Sequence, residues 1–568
     1  MKHHRCRLLF AAFCLLAPAL ADVAVAAAPN PKKTRLVVLI VIDQLRADYL
    51  THFADHFGPN GFRRLTRGGA HFVNAYFSYG ASATAPGHAT ISTGRIPRQH
   101  GIVANKWYLE PDARGAQYAV SDARCQMVPA PATGKGKGRS PRSLIGPTLG
   151  DQIKVSDIRS RVFSVSLKDR AAILMGGHMA DGAFWWDLRT GHFVSSTYYA
   201  ATLPDYIARL NKQNVADRYV GKSWHRLLDA AAYAGCRPIN PAWPGYLAGL
   251  GPTFPHVLPA VVGRPRYPFY AALWTTPFGN DLVLDAAEQI LTHEKLGRGP
   301  AVDMLCISLS ANDLVGHFFG PDSPEVMDVT VQTDRQIAGL LNKLDEQVGL
   351  EHCLIALTGD HGVTSTPAMT QELRLGGGRV DLKGLSKQLD KRLRRWLGPA
   401  AKSMEGRRIV SGTELPWVYL DRSLLERLGA KQRRGLINQA AEFFRGVDGV
   451  AKVFTADELS GPMPAPADLH RYLAWRCYNA ERSGQVYLQL APYWYKADNK
   501  IAGHSSGFNH DRHVPILLFG PRMVPGRYFS PAKPSDIAVT LAAVLGIEPP
   551  LDATGDVLYE ALDHRPMD

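Results

Sequence analysis

Residues 35–43, Arg-Leu-Val-Val-Leu-Ile-Val-Ile-Asp, constrain the fold more than any other stretch of the chain. Seven consecutive Val, Leu and Ile residues between two charged ones leave no polar face. A strand with one side in water alternates apolar and polar side chains. An unbroken apolar run of this length therefore marks a parallel strand buried on both faces. Two later runs read alike, AVDMLCISLS at 301–310 and HCLIALTGD at 352–360, and a fourth is HVPILLFG at 513–520. Apolar residues recur at helical spacing between them, most clearly over 324–348. Buried strands alternating with helices predict an α/β fold on a mostly parallel central sheet.

The polar residues fall where such runs end. Asp43 closes the first, Asp313 and His317 follow the second, and Asp360 and His361 close the third. Open α/β sheets bind ligands outside the carboxyl ends of their strands. His504 joins the set from AGHSSGFNHDRH, a loop before the fourth run that also carries His510 and His513. Asp and His are ligand types that zinc accepts. Asp313 and His317, four apart, share one face of a helical turn. Asp360 and His361 are adjacent, point in different directions, and suit two metals about 4 Å apart, the spacing of two-metal phosphoryl-transfer sites. Each pair alone is common; together, beside buried strands, they form a candidate metal rim.

A second cluster is ASATAPGHATISTG at 81–94, with Ser82, Thr84, Thr90, Ser92 and Thr93 around Pro86-Gly87. One hydroxyl is expected at the start of a helix, presented by a turn that the Pro-Gly pair shapes, with the rest as caps and structural bonds. Such a hydroxyl needs a metal or a base to become a nucleophile. Lys168 and Arg170, in SLKDR, are one residue apart. On an extended chain both point to one side, toward a shared anion. The plainer alternative is a solvated pair after a strand.

The segments IDQLRADYL, TAPGHATISTGRIPRQHGIVANKWY, SLKDRAA, NDLVGHFFGPDS, TGDHGV and HSSGFNHDRHVPILLFG resemble the motifs of the alkaline phosphatase superfamily. Within it the match is to the bacterial PafA/PhoK-type phosphatases with a threonine nucleophile, and it runs from about Val37 to Leu558. The resemblance implies an alkaline-phosphatase-like core and hydrolysis of phosphate monoesters through a phosphothreonine. It makes Thr84 the nucleophile and a metal contact. By the same resemblance Asp43, Asp360 and His361 would hold one zinc, and Asp313, His317 and His504 the other, two per chain, a ligand set that other divalent metals also fit. Asn105, Lys168 and Arg170 contact phosphoryl oxygens. Small phosphorylated substrates follow, and no nucleic acid as a stable partner. The alternatives are a phosphodiesterase or nucleotide pyrophosphatase with the same core, and a non-catalytic anion-binding relative.

Residues 1–21 read as a secretory signal, with a basic start, an apolar run and small residues at Ala19-Leu20-Ala21; cleavage as far as about residue 28 is the alternative. The expected location is periplasmic or secreted, with no transmembrane segment. Three of the positive charges behind the net +14 lie before the first acid, Asp22, and the rest are spread along the chain. Core segments are expected at 35–370 and 500–560, with insertions at 108–145 and 186–275 and an inserted cap subdomain at 375–500. AFWWDLRTG and APYWYKAD, in those insertions, either shape a substrate pocket or pack the cap. Beyond the signal five Cys remain, and Cys306 and Cys353, inside apolar runs, are expected as buried hydrophobes.

Overall fold

Leu36–Ile42 forms strand β1 at the centre of a ten-stranded sheet. The computed structural model describes residues 33–109, 115–130, 138–238, 249–260 and 267–563, so the expected signal segment lies outside the described residues. In chain order the other strands of this sheet are β2 (Ala70–Phe72), β3 (Met127–Val128), β4 (Val162–Ser166), β5 (Gly182–Asp187), β6 (His192–Ser196), β7 (Asp303–Leu309), β8 (Cys353–Thr358), β9 (Ile516–Phe519) and β10 (Gly526–Tyr528). Their spatial order is β10-β2-β9-β8-β1-β7-β4-β5-β6-β3. From β8 to β5 the strands are parallel, which makes the middle of the sheet the predicted buried parallel core.

Both faces of β1 are buried, as its composition requires. Leu36, Val38, Ile40 and Ile42 enter one apolar core, and Val37, Leu39 and Val41 the other. Helices Pro277–His293 and Pro324–Gln347 cover the first face. Helices Thr84–Thr93, Asp169–Gly176 and Asp536–Leu545 cover the second. Each Val, Leu or Ile buried in this way contributes about 1.5–3 kcal/mol. The start of helix 324–347 is legible in sequence: Ser323 Oγ accepts the Val326 N–H, and Pro324 fills the first turn.

Two expectations change. HVPILLFG forms β9, but β9 runs antiparallel to β8. The loop that feeds it lies at the rim where the parallel strands end, so a strand leaving that rim must run the other way. The expected insertion from 186 begins inside the sheet, since Trp186 and Asp187 end β5 and 192–196 is β6. The tryptophans of AFWWDLRTG, Trp185 and Trp186, are core residues in opposite faces of that sheet.

Between β8 and β9 a second sheet is built, antiparallel, in the order Val410–Glu414, Trp417–Leu420, Val486–Leu490, Val450–Thr455. It packs against helices Leu382–Leu397 and Ala430–Arg445 around a separate apolar core. Trp417 and Tyr487 face the other way, into the main core, and tie the two sheets together. Cys125, Cys236, Cys306, Cys353 and Cys477 are all free thiols, and Cys306 and Cys353 are buried in strands.

Candidate active site at the carboxyl rim of the sheet

Four neighbouring parallel strands deliver the polar residues to one rim. Asp43 follows β1, and its N–H donates to Leu309 O at the end of β7 (2.9 Å). β7 leads into helix Ala311–Phe319, which carries Asp313 and His317 one turn apart, with Oδ1 and Nε2 separated by 3.1 Å. β8 ends beside Asp360 and His361. β4 leads to Lys168 and Arg170. His504 arrives from the loop before β9 and stacks on His361 at 3.8 Å between ring centroids.

The acid and histidine atoms form two groups: Asp43, Asp360 and His361, and Asp313, His361 and His504. Within each, the ligand atoms lie within 4.8 Å of one another. His510 and His513 stand elsewhere, stacked on Tyr493 and Tyr76.

Three histidines share one tautomer. The Nδ1 atoms of His317, His361 and His504 lie 2.8, 2.9 and 2.7 Å from the backbone oxygens of Ala502, Gly362 and Ser82. A carbonyl only accepts, so each Nδ1 carries the proton and each Nε2 offers a lone pair to the site. His361 Nε2 faces Asp43 Oδ1 and Asp360 Oδ2, at 3.5 Å from each. All three of these atoms are buried without a hydrogen-bond partner. Acceptors gathered against acceptors in a dry site call for a cation between them, and the donor set suits zinc.

The electrostatics agree. Burial, with Asp360 next, pushes the Asp43 carboxyl well above the usual range. For Asp313 and Asp360 burial acts the same way, but the neighbouring histidines, aided by Lys168, outweigh it and hold both well below that range. Burial also depresses His361 and His504, which keeps both imidazoles neutral. The Lys168 ammonium, itself buried, hydrogen-bonds Asp43 Oδ2 and Asp313 Oδ2, the latter at 2.6 Å.

Thr84 begins helix Thr84–Thr93, all ten residues of which are buried. Pro86 and Gly87 sit in its first turn, and no separate turn precedes Thr84. Proline is tolerated there because the N–H it lacks has no partner within the helix. Gly87 is demanded by packing: a Cβ at this position would stand 2.2 Å from Asp360 O. Arg170 Nη2 donates to Thr84 Oγ1 at 3.2 Å. The Ala85 N–H donates to Asn105 Oδ1 (2.9 Å). That bond sets the amide orientation and leaves Asn105 Nδ2 facing the cleft. Ser82, Thr90, Ser92 and Thr93 all make internal hydrogen bonds.

Lys168 and Arg170 do not lie on an extended strand. Lys168 caps helix Asp169–Gly176 and Arg170 is in its first turn, so the helical twist sends them apart, one to the carboxylates and one to Thr84. Tyr118 steadies Arg170: its OH accepts from Arg170 Nη1 (3.2 Å) and donates to Asp169 Oδ1 (2.6 Å). The cleft above Thr84 measures about 140 Å³ and is closed by Glu414, Tyr495, Lys496 and Lys500. Sequence reading missed Gln44, Tyr118 and Lys500, which belong to no spacing pattern.

The sequence model of the family described as type I phosphodiesterase / nucleotide pyrophosphatase matches residues 37–411. The chain belongs to this family. A Myroides odoratus protein named calcium-transporting ATPase is 32% identical over 95% of this chain and 97% of its own length. Alkaline phosphatase PhoV of Synechococcus elongatus is 32% identical over 93% of each chain. Alkaline phosphatase PafA of Elizabethkingia meningoseptica is 32% identical over 94% of this chain and 95% of its own. The crystal structure of wild-type PafA superposes with a TM-score of 0.84 at 31% identity, covering 94% of this chain and 99% of that one. Murine ectonucleotide pyrophosphatase / phosphodiesterase 5, at 13% identity and a TM-score of 0.52, shares the fold. Among these family members the present chain stands as a phosphoric monoester hydrolase of the alkaline phosphatase superfamily. No described helix is long and apolar enough to cross a membrane.

Gln44 joins the two acid groups of this family member. Its N–H donates to Asp360 Oδ1 (3.0 Å) and its Nε2 to Asp313 Oδ1 (2.7 Å). It does so from a left-handed backbone at φ 66°, which a residue with a Cβ adopts at a cost of about 1–2 kcal/mol. Gly316 leaves room for it: a Cβ there would stand 1.9 Å from Gln44 Oε1. Gln44→Ala is expected to weaken metal binding about 10–100-fold while the folded spectrum is unchanged, as chelator competition reads directly.

Proposed function

We propose that the chain is an exported two-zinc phosphatase that hydrolyses phosphate monoesters through a phosphorylated Thr84. The observation that carries this is the set of unsatisfied acceptors, Asp43 Oδ1, Asp360 Oδ2 and His361 Nε2, buried in the site whose Thr84 hydroxyl is held by Arg170. Asp43, Asp360 and His361 would hold one zinc and Asp313, His317 and His504 the other, His361 lying within reach of both groups. Bound there, zinc supplies Lewis-acid stabilisation of the attacking and leaving oxygens.

The chain's own residues do the rest. Thr84 Oγ1 attacks phosphorus as the ester P–O bond breaks and the alcohol leaves with a proton, and water then splits the phosphothreonine into orthophosphate and the Thr84 hydroxyl. Phosphoryl transfer spreads charge over the non-bridging oxygens, so positioned donors supply much of the catalysis. Arg170 and Asn105 Nδ2 are those donors. Lys168, hydrogen-bonded to Asp43 and Asp313, would become available to the same oxygens if metal held those carboxylates. Burial opposes the charge on Lys168 and Arg170, but the surrounding Asp and Tyr groups outweigh it and both stay cationic. Residues 375–500 act as a cap whose Tyr495, Lys496 and Lys500 close the cleft over the leaving group.

A diesterase reading is favoured by the description of the matching family model. The two differ in charge: a monoester dianion needs both cations, whereas a diester monoanion carries less charge to neutralise. Purified protein is expected to hold two zinc per chain and to turn over p-nitrophenyl phosphate far faster than bis-p-nitrophenyl phosphate. Lys168→Ala with Arg170→Ala should lower monoester kcat/KM by about 10²–10³-fold and diester kcat/KM much less. Diester preference in the unmodified protein would overturn the monoesterase assignment.

A further inference from the structure

Beside the catalytic cleft runs a groove of about 650 Å³ that the proposed mechanism does not use. One wall is the helix Leu382–Leu397, which turns Lys383, Lys387 and Lys391 into it. At a spacing of four residues they share one helix face, spread over about 12 Å. All three are exposed, and among the described residues none is in an ion pair. Like charges in such a row repel one another, so the row is not there to stabilise the helix.

The opposite side adds Lys106, Arg408 and Lys496. The acids present do not balance them. Asp390 is consumed by the N–H groups of Ile409 and Val410 (2.6 and 3.0 Å) and by Arg394 (2.8 Å). Glu414 pairs with Lys106 (3.5 Å). The groove adjoins the cleft, since Lys496 and Asp498 line both. Strand Val410–Glu414 likewise runs from the groove to the cleft.

We infer that this groove binds the remainder of a linear polyphosphate whose terminal phosphoryl group lies at Thr84. The inference rests on the reading that Thr84 accepts a phosphoryl group. The lining chemistry favours phosphate over nucleic acid. Single strands are held by base stacking on exposed aromatic rings as well as by charge. The aromatic residue that lines this groove, Tyr108, is packed face to backbone on Gly412, where a Cβ would stand 2.2 Å from the ring, and lies 5.3 Å from the Tyr419 ring. Ammonium, guanidinium and hydroxyl groups remain, which recognise phosphate oxygens.

The chemistry is hydrolysis throughout. A bond forms from Thr84 Oγ1 to the terminal phosphorus as the anhydride P–O bond breaks. The shortened chain keeps the bridging oxygen, and the hydroxyl proton leaves to it or to solvent. Water then splits the phosphothreonine, its oxygen departing in orthophosphate and a proton returning to Thr84.

The test compares the zinc-loaded full chain with a Lys383→Glu, Lys387→Glu, Lys391→Glu variant, with zinc supplied beyond what polyphosphate chelates. Orthophosphate release from linear polyphosphate is expected to fall at least tenfold in kcat/KM, and p-nitrophenyl phosphate turnover to stay within about twofold. The salt dependence of the polyphosphate reaction should flatten with it. An equal fall on both substrates, or none on polyphosphate, overturns the proposal. So does a 5′-phosphorylated oligonucleotide that competes as strongly as polyphosphate. If p-nitrophenyl phosphate is not hydrolysed either, the phosphatase reading has failed. Direct titration of polyphosphate into Thr84→Ala, with and without the three glutamates, then decides the groove alone: binding lost with the lysines supports it, and no binding overturns it.

Discussion

Thr84→Ala lowers monoester turnover by about 10⁴-fold or more, with the fold and the metal content unchanged. The hydroxyl sits at the first residue of a buried helix and is 2% exposed. Arg170 Nη2 is the side-chain partner of its Oγ1, so removing it disturbs no structural network. The neighbouring hydroxyls cannot substitute for it. Ser82 donates to Ser506 O, Thr90 to the Tyr79 hydroxyl, and Thr93 to Ala89 O. Single-turnover quenching of the unmodified protein should trap phosphate on Thr84, and Thr84→Ser should retain much of the rate. A variant keeping more than a tenth of the activity would move the nucleophile elsewhere.

Stripping the metal with a chelator removes activity by at least about 10³-fold, and zinc restores it. Stability falls with it, because any ligand bound only by the folded chain stabilises it, by about 4 kcal/mol at a thousandfold excess over Kd. The melting temperature of the stripped protein is therefore expected to drop and to recover on titration with zinc. The histidine shifts give the pH dependence its sign. A free imidazole is half protonated near pH 6.5. Burial depresses His361 and His504 below that value, so their Nε2 atoms remain available to metal under mildly acid conditions. Release of zinc by acid alone, with no chelator present, should be centred below pH 6.5. Loss centred at or above pH 6.5 would mean that these two rings do not hold it.

The candidate donor residues were legible because of where they lie in the chain. Asp43, Asp313 and Asp360 each follow a run with no polar face, and such runs have one placement, in the middle of a parallel sheet. His317 was legible through its four-residue spacing, and His504 only through the resemblance of its loop to a known motif. What failed was local conformation. TAPGH reads as a hydroxyl at a helix start beside a Pro-Gly turn; the helix start is there, but Pro86 and Gly87 continue the helix instead of turning, because Pro86 falls where its missing N–H costs nothing and Gly87 admits the Asp360 backbone. SLKDR reads as extended, yet it caps a helix.

The run 35–43 by itself determined a doubly buried strand, and with its fellows the class of sheet and the edge at which polar groups would gather. Periodicity carries that much, since burial on two faces is written in consecutive residues. Folding alone reveals which nitrogen of His317 and His504 faces the site, that Gln44 bridges Asp313 and Asp360, and that a row of lysines on helix Leu382–Leu397 lines a groove beside the cleft. Those facts depend on contacts between residues tens to hundreds of positions apart, and a spacing pattern holds no record of a partner outside its own window.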